Sequence, residues 1–204
     1  MSLTTALFLG GRSTRMGRDK AMLEIDGQPL WWLQWRKLRA LQPSRMLLSA
    51  RMDQAVPVPP PPARVVYDAI ADIGPLGGLI ACLEMIQLDG PDARLLVLGV
   101  DLPRMPVALL QDLVFAADAA GGAVIRNGDH HEPLAAVYPA ALLEIARRRA
   151  RLGHHSLQGL IRDALDRGVL DVFSLRGLGD WPVEVLANLN TPEDVERLQG
   201  GTTA

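Results

Sequence analysis

The run Leu95-Leu96-Val97-Leu98-Gly99-Val100-Asp101-Leu102-Pro103 is apolar at successive positions, not at alternate ones, and ends in a carboxylate followed by a proline. Side chains on a strand alternate between two faces, so a strand that is apolar throughout must be covered on both. Such a strand belongs in the middle of a sheet with helices packed above and below it. The flanking segments supply the remaining layers. Thr5 to Leu9 reads as a first buried strand and Arg94 to Gly99 as a later one, with short β-rich runs at Arg45 to Ala50 and Arg64 to Tyr67. Helices are predicted over Pro29 to Leu41, Gly77 to Ile86 and Val107 to Ala119. In the first of these, Pro29 suits the opening turn, and Trp31, Trp35 and Leu38 recur at helical spacing as core positions. Strands and helices therefore alternate, and the expected class is α/β with a doubly wound sheet.

Further along, Ala123 to Arg126 and Leu134 to Tyr138 look like strands, followed by helices at Ala140 to Arg149 and Ser156 to Arg167. Val183 to Leu189 is strand-like, and Thr191-Pro192-Glu193-Asp194 has the cap, proline and acidic first turn of a helix start. The stretch Val56-Pro57-Val58-Pro59-Pro60-Pro61-Pro62 cannot donate the amides of an inner strand and reads as a polyproline-like connector, with an SH3-type ligand as the alternative. No internal repeat and no dividing boundary interrupts residues 1–204, which read as a single domain.

Chemistry first shows in Leu7-Phe8-Leu9-Gly10-Gly11-Arg12-Ser13-Thr14-Arg15-Met16-Gly17-Arg18-Asp19-Lys20. A short apolar strand runs into two glycines, whose lack of Cβ atoms lets backbone N–H groups approach an anion. Arg12, Arg15, Arg18 and Lys20 then offset its charge. A Walker A loop needs Lys-Ser/Thr directly after its last glycine, and the dinucleotide fingerprint needs G-x-G-x-x-G; neither is present. Asp101 lies just beyond a buried strand, where α/β sheets bind their ligands. There its carboxylate can hold Mg2+, a hard cation that prefers oxygen, or can serve an ordinary turn before Pro103.

Composition narrows the field. With 204 residues, 49% hydrophobic content and 22% charged residues, the chain can build one sizeable core. A net charge of -2 gives no general reason to expect nucleic acid or a membrane as partner. Positive charge is concentrated in the loop before Lys20. The lone Cys82 excludes an internal disulfide and suits a cytoplasmic setting. Adjacent His130-His131 and His154-His155 are poorly placed to converge on one zinc ion. The basic run Arg147, Arg148, Arg149 and Arg151 reads as a solvated helix end.

Phe8 to Lys20 resembles the L-A-G-G-x-S-x-R-M-G-x-x-K signature of the molybdenum cofactor guanylyltransferases, a branch of nucleotidyltransferases, with Phe8 and Leu9 departing from its first two positions. Three further stretches resemble family elements in the same order. Asp68 to Gly78 is similar to D-x-x-x-x-x-G-P-L-x-G, Asp101-Leu102-Pro103 to D-x-P, and Asn188-Leu189-Asn190-Thr191-Pro192 to N-x-N-T-P.

The resemblance implies a Rossmann-like nucleotidyltransferase fold, with a predominantly parallel central sheet flanked by helices. It implies an enzyme that joins GTP and molybdenum-loaded molybdopterin, releasing pyrophosphate, with Mg2+ as cofactor. Phe8, Leu9, Gly10, Gly11, Lys20, Asp68 and Asp101 would bind GTP. Arg15, Lys20 and Asp101 would be catalytic, and Asp101 would also hold the metal. Asn188 and Asn190 would lie near the metal and phosphates. The region from Glu132 to Tyr138 would face the molybdopterin, with His131 approaching it. The resemblance also implies molybdoenzyme chaperones or other proteins of cofactor biosynthesis as partners. The sister cytidylyltransferases, which use CTP, lack the double glycine and the G-P-L-x-G element. Another nucleotidyltransferase, or a non-catalytic nucleotide-binding or cofactor-delivery protein, is the remaining alternative.

Overall fold

The computed structural model describes residues 2–10, 19–176, 180–191, 193–195 and 197. β1 (Leu3–Phe8) is followed by a small antiparallel hairpin of β2 (Glu24–Ile25) and β3 (Gln28–Pro29), then by α1 (Leu30–Ala40), β4 (Arg45–Ala50) and β5 (Arg64–Tyr67). α2 (Pro75–Gln87), β6 (Arg94–Gly99), α3 (Val107–Ala120), β7 (Ala123–Asn127) and β8 (His130–Pro139) come next. α4 (Leu142–Arg151), α5 (Leu157–Asp166) and β9 (Asp171–Phe173) follow.

Seven strands form one sheet in the order β5-β4-β1-β6-β8-β7-β9, in which only β8 runs against its neighbours. The expected predominantly parallel α/β architecture is therefore present. The strands alternate as a sheet covered on both faces requires. Leu7, Leu96 and Leu98 pack with α1 and α3 on one face. Ala6, Phe8, Leu95 and Val97 pack with α2, α4 and α5 on the other. Trp35 and Leu38 are fully enclosed, and Trp31 nearly so.

Two sequence expectations need correction. Val183 to Leu189 is not a strand. Val183–Leu186 is a 3-10 turn, in which Val185 N donates to Pro182 O and Ala187 N to Glu184 O. Alternation of Val183, Glu184 and Val185 imitates a strand, yet local turn bonds take the place of a ladder. Conversely, the segment expected to begin at Leu134 is paired from His130 onward. A bulge lets Pro133, Leu134 and Ala135 pass without a β7 partner, since Val124 faces Ala136 while Ile125 faces Glu132. Proline suits such a place because the ladder asks no amide of it. The β2–β3 hairpin was also not anticipated, although Asp26-Gly27, both at positive φ, is a strong turn signal.

α2 crosses the end of the sheet closely because its first turn carries Gly77 and Gly78. A Cβ on Gly77 would lie 2.5 Å from the backbone oxygen of Ile70 and 3.2 Å from Asp68 Cβ. Alanine gains about 1 kcal/mol over glycine inside a helix. Overpacking against backbone costs about 1–3 kcal/mol, so the clash decides the sign. Gly77→Ala is expected to lower the urea midpoint at unchanged m-value; a midpoint at or above wild type would show that the Asp68 to Gly74 loop yields freely.

Candidate active site

The chain runs from β1 outward through β4 to β5, then returns to add β6 on the other side of β1. This reversal makes the carboxyl ends of β1 and β6 a topological switch point, the place where open α/β sheets leave a crevice. A cleft of about 330 Å³ opens there, lined by Phe8, Gly10, Ser49, Arg51, Asp68, Gly74, Asp101 and Leu134 among others. Gly10 has φ +95°, a conformation side chains disfavour, so β1 leaves the sheet through a turn that glycine permits. Gly99 serves close approach instead. A Cβ there would sit 2.6 Å from Asp101 Oδ1 and 3.0 Å from Leu134 Cβ.

Asp101 is half-buried, and burial raises its carboxyl above the usual range while the Lys20 ammonium draws it back down. Lys20 opens a short turn capped by Asp19, whose Oδ1 accepts from Ala21 N at 3.0 Å. Its Nζ donates to Asn190 Oδ1 at 2.8 Å. Leu189 N in turn donates to the carbonyl of Asp101 at 2.8 Å. The Asn190–Thr191 corner is held by Asp194 Oδ2, which accepts from both backbone amides at 2.9 Å. Asp68 follows β5, and burial raises its carboxyl too, with Arg51 opposing the shift.

The expected site residues thus separate into groups. Phe8, Gly10, Asp68 and Asp101 share the cleft. Lys20 and Asn190 are joined beside Asp101. Leu9 buries its side chain in the core below, 1% exposed, so its size does not narrow the opening. Asn188 is exposed and lines a separate shallow pocket with Pro103, Arg104 and Arg197. Gly11 and Arg15, with Arg12 and Arg18, lie outside the described residues.

One cleft residue, Arg51, was not singled out from the sequence, and the charge state of Glu132 near the cleft was not foreseen. Arg51 directly follows β4, and its Nη1 donates to Gly10 O at 3.4 Å while Nε pairs with Asp53 at 3.0 Å. The rule that ligands collect beyond strand carboxyl ends would have found it. Glu132 comes to this end through the β8 bulge. Burial, then the nearby Asp101 carboxylate, pushes its pKa up to about 7. The resemblance places the stretch from Glu132 to Tyr138 toward the molybdopterin, but no local signal marks Glu132 itself as a neighbour of Asp101.

The histidines and arginines take other roles. Among the described residues no group of three or more His, Cys, Asp or Glu side chains is arranged to hold a metal. His131 is tied by its backbone to α5, where Gln158 donates to its carbonyl at 2.7 Å and accepts from its amide at 3.2 Å. Arg147 pairs with Glu84 on α2 and with Glu144, and Arg149 pairs with Asp163 on α5 at 2.7 Å, so these two arginines join helices while Arg148 and Arg151 are exposed.

A glycine turn and a carboxylate facing one crevice at a switch point define an α/β protein of the nucleotide-binding class. Residues 6–168 match the MobA-like NTP transferase domain family, and the chain belongs to it. It is 37% identical to the Opitutus terrae protein named "Probable molybdenum cofactor guanylyltransferase", over 96% of this chain and 94% of that one. It is 35% identical to the molybdenum cofactor guanylyltransferase of Pseudomonas fluorescens, over 92% and 88% respectively. The fold is shared with molybdopterin-guanine dinucleotide biosynthesis protein A from Archaeoglobus fulgidus, with TM-score 0.76, 20% identity and 98% coverage of both chains. No helix among the described residues is long and apolar enough to cross a membrane.

Glu132 offers a stability test. An ordinary glutamate titrates near 4.5, and here the value is about 7, so the folded state holds its proton more tightly than the unfolded chain. The cost of ionising it is absent below pH 4.5 and complete above pH 7. Glu132→Gln is expected to raise Tm relative to wild type more at pH 8 than at pH 5, without nucleotide or divalent cation. An equal difference at both values would remove Glu132 from this account.

Proposed function

We propose that the protein transfers GMP from GTP to molybdenum-loaded molybdopterin, forming the guanine dinucleotide cofactor and pyrophosphate, with residues 1–204 acting as one nucleotidyltransferase domain. The observation that supports this most is the placement of Gly10, Asp68 and Asp101 around one cleft at the β1–β6 switch point, in a chain whose relatives carry that name.

The residues present fit a divalent cation. A single carboxylate with room for phosphate oxygens and water suits Mg2+, which is commonly held by one or two carboxylates together with substrate phosphates. Asp101 is the residue we assign to hold it. When bound, Mg2+ would offset charge on the phosphate oxygens.

In the reaction, an oxygen of the molybdopterin phosphate forms a bond to the α-phosphorus of GTP as the bond to the β-phosphate oxygen breaks. Pyrophosphate leaves with that electron pair. No protein nucleophile is needed, so the chain contributes position and charge. Lys20 and Arg15 would hold the triphosphate and the departing pyrophosphate, with Gly10 and Gly11 giving close backbone approach. Lys20 would exchange its bond to Asn190 for phosphate oxygen. Asp68 would accept from the N1 and N2 donors of guanine.

Purified protein should form pyrophosphate and dinucleotide from GTP and molybdenum-loaded molybdopterin with Mg2+, and not from CTP. Preference for CTP would move the reading to the sister activity, and no product from either would overturn it. Asp101→Ala and Lys20→Ala should each lower turnover by at least ~100-fold, the scale of losing one electrostatic stabiliser; near-normal rates in both would sink the mechanism. Asp68→Ala should weaken GTP binding by about tenfold, as expected for loss of a bidentate base contact, with little change in CTP binding.

A further inference from the structure

The buried face of α1 is apolar except at Gln34, whose residue is 0% exposed. Its Nε2 donates to Leu102 O at 2.8 Å and to Gly99 O at 3.2 Å, the carbonyls on either side of the Val100-Asp101 dipeptide. One turn later on the same helix, Lys37 Nζ donates to Pro103 O at 2.5 Å. The two side chains therefore grip three carbonyls around Asp101 from the face opposite α2.

Satisfying stranded carbonyls does not explain this arrangement. Gly99 O already accepts from Leu102 N at 3.3 Å, and Leu102 O from Met105 N at 3.2 Å. Meanwhile Gln34 Oε1 is buried without a partner among the described residues, a cost that methionine or leucine at this position would avoid. Lys37 is also held at a cost, since burial lowers its pKa to about 8. Two expensive polar groups on one helix converge on the short loop that carries the cleft carboxylate.

We infer that Gln34, assisted by Lys37, is a positioning residue that holds the backbone around Asp101 so that its carboxylate stays directed at the metal and phosphates. The inference rests on the reading of Asp101 as the metal-holding group. The Gln34 bonds fix the two ends of the turn, while Leu189 N fixes the Asp101 carbonyl between them. With Gly99, Asp101 and Leu102 each held by their carbonyls, the backbone from which the carboxylate projects cannot shift without breaking these bonds.

The test is calorimetric GTP binding to wild type, Asp101→Asn, Gln34→Met and Lys37→Met, each in EDTA and in Mg2+, with the Mg2+ dependence of turnover measured alongside. Methionine keeps the volume of glutamine and removes its donors, so GTP binding in EDTA should stay near wild type. The gain in GTP affinity on adding Mg2+ should fall by about tenfold in Gln34→Met, within the range for removing a group that orients a metal ligand. Lys37→Met should move the same way by a smaller factor, and both should need more Mg2+ for half-maximal turnover. A purely structural role would lower Tm and leave the Mg2+ gain intact.

Asp101→Asn separates the two ideas. If it retains the full Mg2+ gain, the metal assignment fails whatever Gln34 does. If it loses the gain while Gln34→Met and Lys37→Met keep it, the positioning inference is overturned. Should Gln34→Met fail to fold, Lys37→Met decides, because its half-buried position lies outside the closed core.

Discussion

The pairing of β1 with β6 is the constraint on which the cleft depends. Both strands are buried from both faces, and the ladder continues past their ends through Val100 N donating to Phe8 O at 2.9 Å. A slip of one residue would turn Leu96 and Leu98 toward the opposite layer and bring Leu95 and Val97 into their place, disturbing two cores at once. The register is therefore held by burial along the whole strand. Gly10 and Asp101 inherit their separation from that register, which is why two residues far apart in the chain can define one site.

Burial that secures the sheet also sets the electrostatics at its end. Asp68, Asp101 and Glu132 are each raised above the ordinary carboxylate range mainly by loss of water. Glu132 is raised further by Asp101 itself. A triphosphate entering such a place adds negative charge to groups that already oppose one another. Lys20 and Arg51 supply nearby positive charge, Lys20 lowering the Asp101 carboxyl and Arg51 that of Asp68. A divalent cation entering with the nucleotide would reverse the balance, and this need follows from the burial of the carboxylates as much as from the chemistry of phosphoryl transfer.

Much of the fold was legible because its signals are local. Continuous apolar runs marked β1 and β6, and the Trp31, Trp35 and Leu38 spacing marked α1; all lie where expected. Asp68 and Asp101 were readable as strand-end carboxylates within motifs. What escaped depends on contacts distant in sequence. The alternation from Val183 to Val185 suggested a strand, but among the described residues no partner strand receives it and turn bonds prevail. The resemblance placed the stretch from Glu132 to Tyr138 toward the molybdopterin, but Glu132 comes beside Asp101 through a bulge whose register is set by β6 and β7 together, which no window of residues 130–139 reveals. Gln34 carries no local signal at all, since its partners lie 65 and 68 positions away.

In the C-terminal element three consecutive residues take different places around Asp101 and Lys20. Asn188 faces away from the cleft, whereas Leu189 holds the Asp101 carbonyl and Asn190 holds the Lys20 ammonium. Consecutive residues thus connect the backbone of Asp101 to the ammonium of Lys20. Asp194 keeps this corner rigid by accepting from the amides of Asn190 and Thr191, and those bonds lower its own pKa. Because Asn190 accepts from Lys20 with a neutral oxygen, it can hold the ammonium without cancelling its charge. A carboxylate there would bind Lys20 more tightly and compete with phosphate for it. Neutral acceptance leaves the lysine both placed and available, which a site that must first bind a triphosphate and then release pyrophosphate requires.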